Sequence, residues 1–367
     1  MSDRQPTANS AAQGTHFAIP YCQFLDAEGR AIAPLPDCAR DLDRLRRLYR
    51  TMVLVRTLDQ RAVALQRTGQ LGTYASSLGQ EAIGAVLGDA MQPEDVLLPS
   101  YRETAALIRR GVAMDQLLLY WGGDERGMAW EDNREDFPLC IPIASQVPHA
   151  AGVAFAFKYR RQPRVAVCVL GDGGTSKGDF YEGLNLAGAW KLPLLCVVID
   201  NQWAISVPRA AQSGASTLAQ KAIAAGIGCE VVDGNDTLAL VERLTLALDR
   251  VRSGEPWLIE ARSYRLSDHT TADDASRYRD KAELEHHWAR EPVIRLRRYL
   301  EQAGAWDPDQ EQALATSCTA EVEEAVASYL AVPPPEPGAI FDYLYETLPE
   351  ALRWQRDQAL AGGQGCG

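Results

Sequence analysis

Apolar positions recur at helical spacing from Asp41 to Arg67, where Leu42, Leu45, Leu48 and Tyr49 share one face. Denser small-residue patterns predict helices in "GQEAIGAVLGDAM" and in "SQVPHAAGVAFAFKYR". Shorter, almost uninterrupted apolar runs read as buried strands. "DVLLP" gives one, followed by a turn and a helix; Val165–Leu170 and Leu194–Asp200 give two more. The glycine-rich turn Gly171–Thr175 and a helix over Gly178–Trp190 separate the last two. "CEVVDG" and "PWLIEARSY" are further strands, with "DTLALVERLTLALDRVRSG" as the helix between them. Strands that alternate with helices predict an α/β fold with a parallel sheet covered on both faces.

The pattern also sets the ends. Residues 1–16 are polar and predict a flexible tail without a secretory signal; 17–330 read as one α/β domain with an N-terminal helical extension. "AVPPPEPG" predicts a stiff linker before a last helical piece, so that 331–360 form a C-terminal extension and 361–367 a disordered tail. "WGGDERGMAWEDNREDFPLCIP" is irregular and polar, a surface or active-site loop.

In such sheets ligands sit beyond the carboxyl ends of strands. Two polar residues fall there. Asp172 lies in "GDGG", and Asn201 follows 29 residues later in "VVIDNQWAIS". Glycines in a strand-to-helix turn bring main-chain amides close to an anion. Two familiar anion loops are absent: Lys177 is followed by Gly178 rather than Ser or Thr, and Ser176 stands where a dinucleotide fingerprint needs its third glycine. An acid in an anion-binding turn makes sense if a divalent cation bridges acid and phosphate. A carboxylate, a carboxamide and a loop carbonyl suit magnesium, with phosphate oxygens and water completing its octahedron. Taken singly, GDGG is an ordinary turn and Asn201 an ordinary strand cap; the pair at this spacing favours the ligand reading.

Composition narrows the classes. Hydrophobic residues make up 46% of 367, enough for a sizeable core. The formal net charge of -12 disfavours nucleic acid and anionic membrane as partners. Eight cysteines without a CxxC pair read as reduced thiols in a cytoplasmic protein, not as a zinc site. His286 and His287 lie in "KAELEHHWAR" and read as a solvated helix face.

The Asp172 to Asn201 pairing resembles the thiamine-diphosphate motif, in which GDG is followed about thirty residues later by Asn. The motif usually ends in two asparagines; here Asp200 takes the first place and Asn201 the metal-binding second. "LDQRAVALQRTGQLGTYASSLGQEA", "LPSYRETAALIRRG", "TLAQKAIAAGI" and "SYRLSDHTTADDASRYR" extend the resemblance along nearly the whole chain, to alpha subunits of the decarboxylating first component of 2-oxo acid dehydrogenases. That family implies a thiamine-diphosphate-binding fold. It implies that Asp172, Asn201 and the carbonyl of Trp203 bind Mg2+, with Gly173 and Gly174 beside the diphosphate. Tyr101 and Arg102 would contact the diphosphate, although a lone Arg at a helix start is ordinarily a surface ion pair. The carbonyls of Ile141 and Ile143 would meet the aminopyrimidine; by side chain these are plain core residues. His269 would reach the diphosphate and the reacting centre from a mobile loop. Ser145 and Gln146 resemble a monovalent-cation loop, but Cys140 replaces a serine there and no such ion is expected.

The activity implied is oxidative decarboxylation of a small 2-oxo acid, pyruvate first, with the acyl group passed to a lipoyl group on an acyltransferase component. Branched-chain 2-oxo acid or acetoin chemistry are the alternatives, and a non-catalytic scaffold is the non-enzymatic one. No Glu in this chain suggests itself for the proton transfer at the pyrimidine ring, so a separate beta subunit would supply it in an α2β2 heterotetramer. The helices Ala150–Phe157 and after Gly178 are candidates for subunit packing, with internal packing as the plain alternative.

Overall fold

The computed structural model describes residues 17–130, 135–342 and 344–362. The expected tail 1–16 lies outside them, as do 131–134 of the polar loop and 363–367 at the far end.

In chain order the main elements are β1 (Tyr21–Cys22), α1 (Leu42–Arg67), α2 (Glu81–Ala90), β2 (Val96–Leu98), α3 (Thr104–Arg109), α4 (Met114–Trp121), α5 (Gln146–Arg160) and β3 (Ala166–Gly171). They continue with α6 (Gly178–Trp190), β4 (Leu194–Asp200), the hairpin β5 (Trp203–Ala204) and β6 (Val207–Pro208), α7 (Arg209–Gln212), α8 (Gln220–Ala224), β7 (Gly228–Asp233), α9 (Thr237–Arg252) and β8 (Trp257–Arg262). The chain closes with α10 (Lys281–Trp288), α11 (Pro292–Gln302), α12 (Pro308–Ala331) and α13 (Glu350–Gly362). Six strands form one sheet in the order β1-β7-β8-β4-β3-β2, every neighbouring pair parallel.

Alternation along the strands feeds two cores. Val167 and Val169 of β3 and Leu195, Val197 and Ile199 of β4 enter one cluster, with Leu45, Met52 and Leu58 of α1 and Leu240 and Leu244 of α9. Ala166, Cys168 and Leu170, and Leu194, Cys196 and Val198, enter the other, under α5 and α6. Successive side chains of a strand point to opposite faces, so a strand buried on both sides must be apolar throughout. That is why these runs were legible as strands.

Caps set the helix starts. Asp41 accepts from the Arg44 amide at 2.9 Å and opens α1. Asp236 does more. One of its oxygens accepts from the Leu238 and Ala239 amides at the head of α9, and the other from Phe24 and Leu25, at 2.6 and 2.8 Å. This single carboxylate ties the N-terminal segment to the sheet and lets β1 pair with Val231 and Val232. A two-residue strand carries no periodic signal, so β1 was not foreseen.

Three expectations change. His286 is exposed as expected, but His287 is half-buried: its ring stacks on Tyr264, centroids 3.8 Å apart and 8° from parallel. The last helical piece is not continuous, since a 3-10 turn over Pro337–Phe341 precedes α13. Ala361 and Gly362 belong to α13 and not to a tail. Helices α5 and α6 do pack on each other; a Cβ on Gly183 would come within 2.8 Å of Val147. Their outer face leaves Phe155, Tyr159 and Trp190 exposed. Among the described residues no helix is long and apolar enough to cross a membrane.

Candidate active site

A cavity of about 550 Å³ opens at the carboxyl ends of β3 and β4. All ten residues singled out from the sequence line it: Tyr101, Arg102, Ile141, Ile143, Asp172, Gly173, Gly174, Asn201, Trp203 and His269. Asp172 follows β3 directly and Asn201 follows β4, and these strands are hydrogen-bonded neighbours in register Gly171 to Ile199. The 29-residue spacing is thus one helix and one strand, returning the chain to the adjacent rim.

The turn after β3 is a 3-10 turn over Asp172–Ser176. A Cβ on Gly173 would lie 2.9 Å from Ala204, and one on Gly174 2.8 Å from Leu170, so only glycine lets the turn sit this close to its neighbours. Asp172 is 1% exposed, and its Oδ2 has no hydrogen-bond partner. Burial pushes its carboxyl up to about 6. A buried carboxylate with an idle oxygen is costly unless a cation meets it. The donor set of carboxylate, carboxamide and main-chain carbonyl suits a hard divalent cation. Among the described residues no group of three or more His, Cys, Asp or Glu could hold a metal ion.

Asp200 takes another part. Its carboxylate faces Arg209 Nε at 3.5 Å. Burial first, then the nearby charges of Asp172 and Glu260, push it upward. The loop that follows is turned by two residues in the left-handed region, Gln202 at φ 71° and Ile205 at φ 56°. For a β-branched residue this is strained, on the order of 1–3 kcal/mol. Arg265 holds the strained loop, donating to the Ile205 carbonyl at 2.8 Å and the Trp203 carbonyl at 3.3 Å.

Arg102 is no surface ion pair. It is 7% exposed, and its guanidinium donates to the Ser76 carbonyl and to the His269 carbonyl, the latter at 2.6 Å. His269 Nδ1 lies 3.1 Å from Arg102 Nη2 and 3.5 Å from Arg265 Nη1. Guanidinium nitrogens only donate, so Nδ1 is the acceptor and the imidazole proton sits on Nε2. Burial, then the charges of Arg102 and Arg265, bring His269 down to about 4. It is neutral at physiological pH. Its loop is braced by Asp273, which accepts from the His269 amide at 2.9 Å and from the Tyr278 hydroxyl.

Ile141 and Ile143 correct the sequence reading of their side chains. They are not core residues but 48% and 42% exposed, facing the cavity. Other contributors escaped the sequence altogether. Arg265 is fully buried beside Arg102. Gln212 Nε2 reaches back from α7 to the carbonyls of Asp172 and Gly173 at 3.0 and 3.1 Å, and to Ser176 Oγ at 2.8 Å. Gln80 meets Asn201. Glu103 is a buried carboxyl in the wall, pushed up to about 7 by burial, and accepts from the Arg102 amide at 3.3 Å. Nothing local marks Arg265, Gln212 and Gln80, because their partners lie tens of residues away, and Glu103 carries no signal beyond an acid near a helix start.

A parallel sheet with a glycine-rich turn, an idle buried carboxylate and two arginines lining the cavity at its carboxyl end defines an α/β protein with a ligand-sized cavity at its strand ends. Comparison with known proteins agrees. The family described as "Dehydrogenase E1 component" matches residues 49–337. The chain is 40% identical over 338 residues to the pyruvate dehydrogenase E1 component subunit alpha of Bacillus subtilis, covering 91% of this chain and 90% of that one. It is 39% identical to the subunits of the same name from Acholeplasma laidlawii, covering 91% and 97%, and Staphylococcus aureus, covering 93% of each. The chain belongs to the dehydrogenase E1 component family.

Proposed function

We propose that this chain is the diphosphate-side alpha subunit of a thiamine-diphosphate-dependent first component that oxidatively decarboxylates pyruvate and passes the acetyl unit to a lipoyl group. The observation that carries the reading is Asp172: a buried carboxylate with an idle oxygen, in a glycine cradle, in a cavity also lined by Asn201, Arg102 and Arg265. The near full-length likeness to three subunits named for pyruvate favours that substrate over branched-chain 2-oxo acids.

When bound, thiamine diphosphate supplies the electron sink for decarboxylation. Asp172, Asn201 and the Trp203 carbonyl would hold Mg2+ against the diphosphate. The Trp203 carbonyl has a second lone pair beyond the one Arg265 uses. Arg102 offers the diphosphate a charge-assisted contact. His269 presents its Nε2 proton as a donor, and its neutrality leaves it able to carry a proton to or from a reacting group. Ile141 and Ile143 keep water from the other end of the cavity.

A beta subunit completes the cavity and supplies the carboxyl that works at the pyrimidine ring. A lipoyl-bearing acyltransferase takes the product, and the protein acts in the cytoplasm. Glu103 is not that carboxyl in this reading, since its oxygen bonds the Arg102 amide on the diphosphate side. The test is calorimetric titration of thiamine diphosphate into the chain co-expressed with its beta partner, with and without Mg2+, followed by decarboxylation assays with pyruvate and 2-oxoisovalerate. Mg2+-dependent binding and a higher kcat/KM for pyruvate are expected. Cation-independent binding, or preference for the branched acid, would refute the respective half.

A further inference from the structure

Gln80 stands at the N-cap of α2, yet its side chain makes no capping bond there. Gln is a poor choice for that place, where Ser, Thr, Asp or Asn would satisfy the free amides. The position is tightly built nonetheless. Gly79 before it has φ 92°, and a Cβ there would fall 2.2 Å from the Tyr264 carbonyl. Glu81 after it accepts from the Gly79 amide at 2.9 Å and pairs with Arg56. A residue that breaks a local rule on so firm a platform points to a task elsewhere.

The task is visible in the hydrogen bonds. Asn201 Oδ1 accepts from the Trp203 main-chain amide at 3.3 Å. A main-chain N–H can only donate, so this bond decides which side of the Asn201 carboxamide carries oxygen. Asn201 Nδ2 therefore turns to the other side, where it donates to Gln80 Oε1 at 3.3 Å. That leaves Gln80 Nε2 as the free end of the relay. It is buried and has no partner, on a residue 4% exposed in the cavity wall. A buried amide donor is not left idle without cost.

We propose that Gln80 is a positioning residue for the cation: it locks the Asn201 carboxamide with Oδ1 on the Trp203 side. The inference rests on the reading of Asn201 as a metal ligand. Without Gln80 only the 3.3 Å bond from the Trp203 amide restrains the carboxamide, and the end that faces the cation is less firmly set. Only the oxygen end ligates, so the cost falls on cation affinity.

The experiment uses the chain in complex with its beta partner and follows thiamine diphosphate binding by tryptophan fluorescence while MgCl2 is titrated. Trp203 lines the cavity and reports locally. Gln80→Met keeps the bulk and removes the acceptor. It should raise the half-saturating Mg2+ about tenfold, the size of effect a buried neutral hydrogen bond supplies, with ligand-free melting unchanged. Gln80→Glu keeps an acceptor for Asn201 Nδ2 and should stay within about threefold of the parent. Added to Asn201→Ala, Gln80→Met should have no further effect, since it acts through Asn201. An unchanged Mg2+ requirement in Gln80→Met, with a raised one in Asn201→Ala, overturns the role of Gln80 and leaves the metal reading intact. An unchanged requirement in Asn201→Ala overturns both. Should Gln80→Met fail to fold, Gln80→Ala reads the same quantity. A loss in Gln80→Glu as large as in Gln80→Met overturns the orientation argument.

Discussion

The two ends of the cavity are built to different standards. At the strand end a set of polar braces surrounds the idle Asp172 Oδ2 and Gln80 Nε2: Gln212 on the Asp172 turn, Gln80 on Asn201, Arg265 on the strained loop, Asp273 under His269. At the other end Ile141 and Ile143 stand 48% and 42% exposed, with apolar side chains lining the open cavity. The first end is braced by this chain's own side chains, and what it leaves idle are polar atoms such as Asp172 Oδ2. The second is a wall waiting for its opposite, the expected state of a half-site whose remainder comes from another subunit. Preorganisation is concentrated where charge must be managed, because misplaced charge costs more than misplaced methyl groups.

The comparison breaks most directly at Asp172. Asp172→Ala should weaken Mg2+-dependent binding of thiamine diphosphate by more than about a thousandfold, read by calorimetry; a loss under tenfold would mean that the strand end holds no metal. His269→Gln should lower kcat about a hundredfold while cofactor affinity stays within a few fold, the pattern of a proton-transfer residue.

The same variant tests the electrostatics. His269 titrates near 4 in the folded chain and near 6.5 when unfolded. The unfolded state binds the proton more readily, so the stability from a neutral His269 is complete above about pH 6.5 and is lost as pH falls toward 4. His287 is also lowered to about 4, so the parent loses stability from both. His269→Gln should flatten, not abolish, the acid slope in chemical denaturation at pH 7, 6 and 5. An unaltered slope would show that His269 is not held neutral by burial and the two arginines.

Gln212→Ala should cost about tenfold in cofactor affinity, since the turn it braces keeps its glycine geometry but loses three bonds. Smallest of all, Ile141→Ser should change the stability of the chain alone by less than about 0.5 kcal/mol, as for an ordinary surface substitution. In the complex with the beta partner the same change should lower the melting temperature. An equal effect in both settings would show the apolar wall to be complete already.

Much of this was legible, for a reason that also marks the boundary. The sheet declared itself because β3 and β4 are apolar at almost every position, and Asp172 and Asn201 because they sit one helix and one strand apart. Signals of that kind are local. Gln80, Gln212 and Arg265 gave none: a Gln or Arg at the start or end of a helix or strand is commonplace, and their meaning comes from partners brought near only by folding. The isoleucines misled for the opposite reason. Hydrophobicity predicts burial, yet these side chains line an open cavity and stay about half exposed. His287 was misread because its stacking partner, Tyr264, comes from a different element.

Asp236, described above as both helix cap and tether, has a bearing on solubility. The strand β1 that it fastens covers the outer edge of β7, a six-residue strand. Unfasten that cover and β7 offers a row of unpaired amides and carbonyls to any other extended chain. Asp236→Ala would then act less as a loss of stability than as the opening of an adhesive margin, and its signature would be concentration-dependent association between sheets.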